Sequence, residues 1–404
     1  MHLRTVSVGI LSAVMSFSAV WPAANASAAR TSDAIVGGSL TAVSCPTVDE
    51  CVAVGRSDSG ALVEVSHGAT WSVVPASDLG LPAGMTQVTL DAVACVSGTN
   101  CTAAGFGTEG TSAVKTLVER WNGTNWRATP SPTPASTYNS PYTGGNANLY
   151  AVSCPSSSAC MAVGTQYLNY SEGIQGTLAE VWNGSTWSVS QVPDPVSTSS
   201  QPGTVARLVS VVCSSRSSCM AVGTYGEKVL ADRWNGSTWS PSPVLGPGTV
   251  PELESVSCVS ASSCTAVGGY IKAGSVEATL AERFTGSTWH VLATSNPGSA
   301  GQPIGFHSVS CPSTLSCTAV GAYTKGTSKK SIVYTLVEEW NGQQWSVVPS
   351  PNVSGSLYSG LEAVSCPTAT ECTAVGGRSG SSIGSAHTLV EHWDGSKWAV
   401  VTSP

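Results

Sequence analysis

Charge is what this chain has least of. Only 10% of its 404 residues are charged, and the formal net charge is −7. A mildly acidic chain with so few lysines and arginines offers no basic patch for a phosphate backbone, which argues against nucleic acid as a partner. Histidine is sparse too. The six present show no metal-ligand spacing, and no glycine-rich phosphate loop follows a strand, so no metal or cofactor is expected. Past the N-terminus no stretch is long and apolar enough to span a bilayer, so membrane insertion is not expected either. Nowhere does a 3.6-residue hydrophobic period persist, which excludes a helical architecture.

The one long apolar stretch, Val6 to Trp21, follows Met1, His2 and Arg4 and is followed by Ala24-Asn25-Ala26 and Ala26-Ser27-Ala28. A basic start, an apolar run and small-residue triplets make a secretory signal, assigned to residues 1–28. Residues 29–38 form a short N-terminal segment and 39–404 one domain. Removal of the leader takes away Arg4 and no acid, so the charge becomes about −8. The expected location is extracellular.

What the sequence has in quantity is glycine (42), tryptophan (13) and cysteine (14). The cysteines fall in seven pairs, each six positions apart: Cys45/Cys51, Cys95/Cys101, Cys154/Cys160, Cys213/Cys219, Cys258/Cys264, Cys311/Cys317 and Cys366/Cys372. First cysteines recur every 45 to 59 residues, so the chain is a sevenfold repeat. In an exported protein the repeat points to one bridge within each unit, across a hairpin. Zinc is the competing reading, but no histidines accompany the spacing.

The third unit shows the pattern. LYAVSC, CMAVG, TLAEVW and WSVSQVP alternate with period 2 and are punctuated by glycine, proline and Asn183-Gly184. Four short antiparallel strands, a to d, repeated seven times, predict an all-β, seven-bladed β-propeller with one intra-blade disulfide per blade. Twelve tryptophans sit at the c–d turn, and one carboxylate per unit lies on strand c: Glu64, Glu119, Glu180, Asp232, Glu282, Glu338 and Glu391. Tryptophan pairs can form sugar platforms, and a ring of acids can bind a cation. Because both features recur at one fixed place in each unit, they are read instead as inter-blade packing and as acceptors for a neighbouring loop.

The pattern L-x-A-V-S, A-V-G, strand, then N/D-G-x-T-W resembles the Asp-box (neuraminidase-type) repeat, and within it the propellers of photosystem II assembly factors. It departs from that box where asparagine replaces aspartate in four units, and at His67 and Thr285. The leader, low charge and Cys-x5-Cys variant are similar to secreted actinobacterial propellers, among them the lectin-type subunits of Streptomyces umbrella toxin particles. That resemblance implies a non-enzymatic, lectin-like module that binds a cell-surface glycan or partner protein, as the targeting subunit of a larger secreted complex. A sialidase-like glycosidase and an envelope assembly factor are the alternatives.

The a–b and c–d turns are short and uniform, whereas the b–c and d–a loops vary, so sequence diversity gathers at one end of the ring. Nine of the ten tyrosines belong there: Tyr138, Tyr142, Tyr150, Tyr167, Tyr170, Tyr225, Tyr270, Tyr323 and Tyr358. Some of them, Tyr225, Tyr270 and Tyr323 above all, equally suit packing of the blade tops. The second residue of strand a lies near the axis at the same end and differs between units: Thr41, Asp91, Tyr150, Val209, Glu254, His307 and Glu362. Asp91, Tyr150, Glu254, His307 and Glu362 are the candidate ligand-binding residues, against the alternative of a solvated channel mouth.

No catalytic residue is assigned. Arg120, Arg233 and Arg283 look like repeat features rather than a substrate clamp, and only Arg56, Arg207 and Arg378 fall near the variable end. Asp91, Glu254 and Glu362 are the carboxylates a glycosidase would use. Ile35-Val36-Gly37-Gly38 and Ser57-Asp58-Ser59-Gly60 mimic serine-protease motifs, but they share one repeat unit, with no room for a double barrel.

Overall fold

A computed structural model describes residues 37–404, apart from 111–112, 135–144, 194, 197–199, 274–275, 299–301, 303, 328–329 and 381–385. Apart from one 3-10 turn, Ala76–Asp78, the regular elements of the described residues are all strands. Each repeat unit is a four-stranded antiparallel meander. In the third unit the strands are Ala147–Ser156, Ala159–Asn169, Ile174–Trp182 and Trp187–Val189. Strand b carries the run Cys160-Met161-Ala162-Val163, buried throughout, as a strand covered on both faces requires. Strand d is a short outer edge on which Trp187 points inward and Ser188 outward.

Local chemistry closes each hairpin. Asn183 Oδ1 accepts from the backbone N–H groups of Ser185 (2.9 Å) and Thr186 (3.0 Å), and Gly184 takes the left-handed φ of 104° that the turn demands. All seven cysteine pairs are bridged as the repeat predicted, each stapling strand a to strand b: Cys45–Cys51, Cys95–Cys101, Cys154–Cys160, Cys213–Cys219, Cys258–Cys264, Cys311–Cys317 and Cys366–Cys372. The two ends of a bridge differ in surroundings. Cys101 has no exposed surface and packs in the apolar layer with Val93, Leu117 and Trp126, whereas its partner Cys95 is half-buried. Strand b lies inside the unit and strand a ends at a turn, which is why the strand-b sulfur is the one covered.

Successive units pack face to face. Val118 of the second unit lies in one apolar layer with Leu149, Leu178 and Trp182 of the third. The last and first units share an equivalent layer, in which Val375 and Val390 meet Leu40, Leu62 and Trp71. Serine hydroxyls tie neighbouring a strands: Ser153 Oγ accepts from Cys213 N–H (2.9 Å), Ser257 Oγ from Cys311 N–H (3.0 Å), and Ser365 Oγ from Cys45 N–H (3.0 Å). The last of these bonds joins the two ends of the domain, so the ring closes by packing and side-chain hydrogen bonds.

The expectation of seven blades is corrected by the sheets. Five four-stranded blades stand alone, formed by the first five units, while the eight strands of the last two units belong to a single sheet. The joint is a short parallel pairing of Val333 with Tyr358, supported by the Val333 N–H bond to the Leu357 carbonyl (3.0 Å). Seven covalent repeats therefore make six hydrogen-bonded sheets. The d–a connection of the sixth unit runs along strand c of that unit and offers it backbone partners, and a repeat count cannot register this.

Candidate functional site

The candidate residues of strand a occupy a special backbone position. In every unit the strand a–strand b register slips at that residue: the pairing passes from Leu40 to Ala42, from Leu90 to Ala92, from Leu253 to Ser255, from Phe306 to Ser308 and from Leu361 to Ala363. Tyr150 and Val209 are skipped likewise. Each is the extra residue of a β-bulge, the device that re-aims a side chain out of the pleat. The bulge also explains the glycine of the A-V-G motif. A Cβ at Gly164 would overlap the Asn148 carbonyl oxygen, and one at Gly223 the Arg207 carbonyl oxygen, so strand b must be bare where strand a swells.

The bulge residues are all half-buried, and several interact across unit boundaries. Thr41 Oγ1 donates to the Leu90 carbonyl of the next unit (3.1 Å). His307 Nδ1 lies 3.0 Å from the Leu361 carbonyl and 3.1 Å from Glu362 Oε2. Both neighbours are acceptors, which fixes Nδ1 as a protonated nitrogen. Glu362 also accepts from the Tyr358 hydroxyl at 3.2 Å, giving a Tyr358–Glu362–His307 chain across the sixth and seventh units. Tyr150 accepts from the Asn148 side-chain amide at 3.2 Å.

The electrostatics are as unequal as the residues. Burial pushes the Asp91 carboxyl up to about 6, with Arg56 opposing. Burial raises Glu254 as well, reinforced by Glu252 and Glu362 and opposed by Arg207 and His307. Glu362 goes the other way: burial would raise it, but the His307 hydrogen bond and charge, with the Tyr358 hydroxyl, hold it below the ordinary carboxylate range. Burial alone would lower His307, yet Glu362, the Leu361 carbonyl and Glu254 lift it above the ordinary imidazole value. Tyr358, buried beside Glu362, is pushed up to about 12. Burial likewise raises Tyr150, against the Asn148 hydrogen bond and Arg207.

Two residues before each bulge lies a second position on the same strand: Ser39, Thr89, Asn148, Arg207, Glu252, Gly305 and Gly360. Arg207 and Glu252 join the site electrostatically, and sequence reasoning had not assigned either of them to it. The signal was available in the i, i+2 spacing that puts two strand residues on one side. The two glycines have the opposite effect and leave space. Between the fifth and sixth units a cavity of about 700 Å³ opens, with Glu252, Glu254, Glu277, His307, Tyr270 and Tyr358 in its wall and Gly305 at its side. A Cβ at Gly360 would come within 2.5 Å of the Tyr358 hydroxyl, so that glycine lets the Tyr358 ring lie where it does. Val250, also in the wall, holds a left-handed φ of 47°, a strained conformation for a β-branched residue.

The remaining tyrosines scatter. Tyr225 packs on Ile174 and Ala206, Tyr270 on the apolar layer between the fourth and fifth units, and Tyr323 on the layer between the fifth and sixth. Tyr323 also stacks on Tyr334 at 5.6 Å beneath Lys325. Tyr167 and Tyr170 contact each other at 5.2 Å. Tyr138 and Tyr142 lie outside the described residues. Among the described tyrosines, Tyr150 is itself a bulge residue with Tyr167 acting on it electrostatically, Tyr358 bonds to Glu362, and Tyr270 shares a cavity wall with Glu254 and His307.

The repeat features are structural, as expected. The paired tryptophans meet at 5.6 to 5.9 Å inside the inter-unit layers, and Trp126, Trp187 and Trp398 are buried, which removes them as sugar platforms. The strand-c acids are buried too, and the loop contact expected of them forms at Glu180, Glu282, Glu338 and Glu391 but not at Glu64 and Glu119, whose carboxylate oxygens have no hydrogen-bond partner. Glu282 accepts from the N–H groups of Leu245 and Gly246, Glu180 from Ser131 Oγ (2.7 Å) and Glu391 from Ser350 Oγ (2.6 Å), in each case on the preceding unit's d–a segment. The bridged cysteines belong with this group and not with the bulge residues. Cys101 in particular is sealed from solvent, so it holds its hairpin and cannot meet a ligand. Among the described residues no cluster of His, Cys, Asp and Glu is arranged to hold a metal ion.

No family model matches this chain, and no curated protein matches it in sequence. Among solved structures it is similar to the BP39L lectin from Burkholderia pseudomallei, with a TM-score of 0.50 and 13% identity over 91% of this chain and 100% of that one. A protein from Lactobacillus plantarum gives 0.48 and 10% over 91% and 95%, respectively. The GH43 endo-arabinanase from Bacillus licheniformis gives 0.35 and 11% over 66% and 99%. At 13% identity the likeness to the lectin is one of fold: an all-β propeller of four-stranded antiparallel units, here with one disulfide in each. The seven disulfides fit an extracellular protein, and among the described residues no helix is long and apolar enough to cross a membrane.

Proposed function

We propose that this protein is a secreted, non-enzymatic binding module that recognises a glycan at the axial mouth, through Asp91, Tyr150, Glu254, His307 and Glu362 and the cavity beside Tyr358. The observation that carries the reading is the contrast between two rings. The strand-c acids are nearly identical around the ring and buried; the bulge residues are half-buried and vary among threonine, aspartate, tyrosine, valine, glutamate and histidine, and two of them, Glu254 and His307, line a cavity of about 700 Å³. A repeat that keeps its structural positions uniform and varies one outward-aimed position is built for a single asymmetric ligand. Carboxylates, an imidazole and tyrosine faces suit the hydroxyls and apolar faces of sugar rings. The leader at residues 1–28 supports export, and the resemblance to umbrella-particle lectins supports a role as the targeting subunit of a larger secreted complex.

The test is a glycan-array screen of the secreted protein beside a Tyr150→Ala/Glu362→Ala double variant. Selective binding that the double variant loses supports the axial mouth. Binding that the variant retains moves the site to the outer loops, and no binding by either protein sinks the glycan reading. A glycosidase remains the second reading for one reason: Glu254 is held toward its acid form while Glu362 is held ionised, the division of labour of a carboxylate pair. Turnover of chromogenic glycosides that Glu254→Gln abolishes would establish it.

A further inference from the structure

The first unit breaks the repeat at one buried position, at the end of the ring opposite the axial mouth. The strand-c residue paired with the strand-d tryptophan is Trp121, Trp182, Trp234, Phe284, Trp340 and Trp393 in the other six units. In the first unit it is Ser66, opposite Trp71. The repeat builds a receptor for that ring, complete around Trp182. Its floor is the partner tryptophan of the pair. In three units its roof is a cation from the preceding unit: Arg120 lies 4.6 Å above Trp182, Arg233 5.1 Å above Phe284 and Arg283 5.7 Å above Trp340. In three units its polar anchor is a carbonyl three residues past the first cysteine, whereas Phe284 has no ring N–H and Trp340 Nε1 has no hydrogen-bond partner. Trp121 donates to Gly98 O (3.1 Å), Trp182 to Ser157 O (3.3 Å) and Trp234 to Arg216 O (3.2 Å).

The first unit keeps the receptor without its ring. A cavity of about 260 Å³ stands beside Ser66, between the last and first units. Trp71 lines it, and so does Val48, the residue three past Cys45 that corresponds to Gly98 and Ser157. His392, in the register position of Arg120 and Arg283, forms the opposite wall and is held by Glu371 at 3.0 Å. An apolar cavity of about 150 Å³ already holds a benzene ring, so this one has room for a bicycle. Val48 is 45% exposed and Gly68 and Ala69 are exposed, so the slot is open to another molecule at its rim.

We propose that this slot receives a tryptophan side chain of a partner protein, which completes the seventh aromatic position of the repeat from outside. The occupant is argued from the molecule itself: an aromatic ring pairs with the strand-d tryptophan at this register position in the six other units, and around Trp182 tryptophan, cation and carbonyl enclose it together. A single aromatic anchor in a desolvated pocket is also the usual energetic centre of a protein interface.

The experiment uses 5-fluoroindole observed by ¹⁹F NMR with the secreted, disulfide-intact protein, and N-acetyl-tryptophanamide as competitor. Saturable binding that N-acetyl-tryptophanamide displaces is expected. Ser66→Trp should weaken it at least tenfold while raising the melting temperature, because the chain then fills its own slot. Ala69→Phe, at the exposed rim, should block the probe without altering the buried wall, and serves if Ser66→Trp folds poorly. Absence of saturable binding, or binding undiminished in Ala69→Phe, overturns the proposal. A slot that takes indole but rejects N-acetyl-tryptophanamide, whose backbone must remain outside, overturns the assignment to a partner's side chain. Glycan binding should be unchanged in both variants, so this proposal and the axial-mouth reading fail separately.

Discussion

Glu119 offers a direct measure of how much the ring tolerates a buried acid. The residue is fully buried, neither carboxylate oxygen has a hydrogen-bond partner, and burial pushes its carboxyl from 4.5 up to about 8. Below the ordinary carboxylate value both folded and unfolded chains hold the proton, and burial adds no pH-dependent penalty. Between about 4.5 and 8 the folded state keeps a proton that the unfolded state releases, so stability falls with rising pH; above 8 the penalty is complete. At about 1.4 kcal/mol per pH unit the ceiling is about 5 kcal/mol. Local relaxation and water entry reduce such penalties, so about 2–3 kcal/mol is the expected size. Glu119→Gln keeps the shape and cannot ionise. Guanidinium unfolding at pH 5, 7 and 9, with disulfides intact, should show near-equality at pH 5 and the variant more stable by that amount at pH 9. A difference between the two proteins that does not change with pH would refute the reasoning.

Three further outcomes follow from the same geometry. Ligand binding that uses the His307–Glu362 pair should occupy a pH window: the His307 contribution is lost as pH rises through its elevated value, and the Glu362 contribution as pH falls through its depressed one. Titration calorimetry across pH 4 to 9 reads both edges, and His307→Gln should remove the alkaline one. Gly223→Ala, which drives a methyl into the Arg207 carbonyl, should cost about 2–4 kcal/mol in urea unfolding, whereas alanine at Gly380, where a Cβ meets nothing within 4 Å, should change little. Replacing both Cys311 and Cys317 by alanine should cost about 2 kcal/mol, the loop-entropy value for so short a loop, as thermal unfolding would show.

Much of the candidate site was legible because the repeat sorts its own positions. Residues that recur at one place, such as Cys101, Trp182 and Glu180, read as structure and prove buried; residues that change at one place, such as Glu254 and His307, read as the site and lie half-exposed together. The bulge itself was not legible. Nothing in LYAVSC shows that Tyr150 is skipped by the pairing, because a bulge is a relation between two strands and its only local trace is Gly164 on the other one. Arg207 and Glu252 were passed over for the same reason: their nearness to Glu254 depends on how neighbouring units face each other.

By itself the sequence determined the strands, the cysteine pairing and the all-β repeat, because each rests on contacts within about fifty residues: alternation, turn glycines and a hairpin-spaced bridge. Tertiary structure alone decided the number of sheets, the cavity between the fifth and sixth units and the slot beside Ser66. Val333 pairs with Tyr358, Gly305 leaves room beside Glu254, and Trp71 faces Val390 across the closure of the ring. Those relations join separate units, and their free energy comes from surfaces that exist only once the units stand side by side.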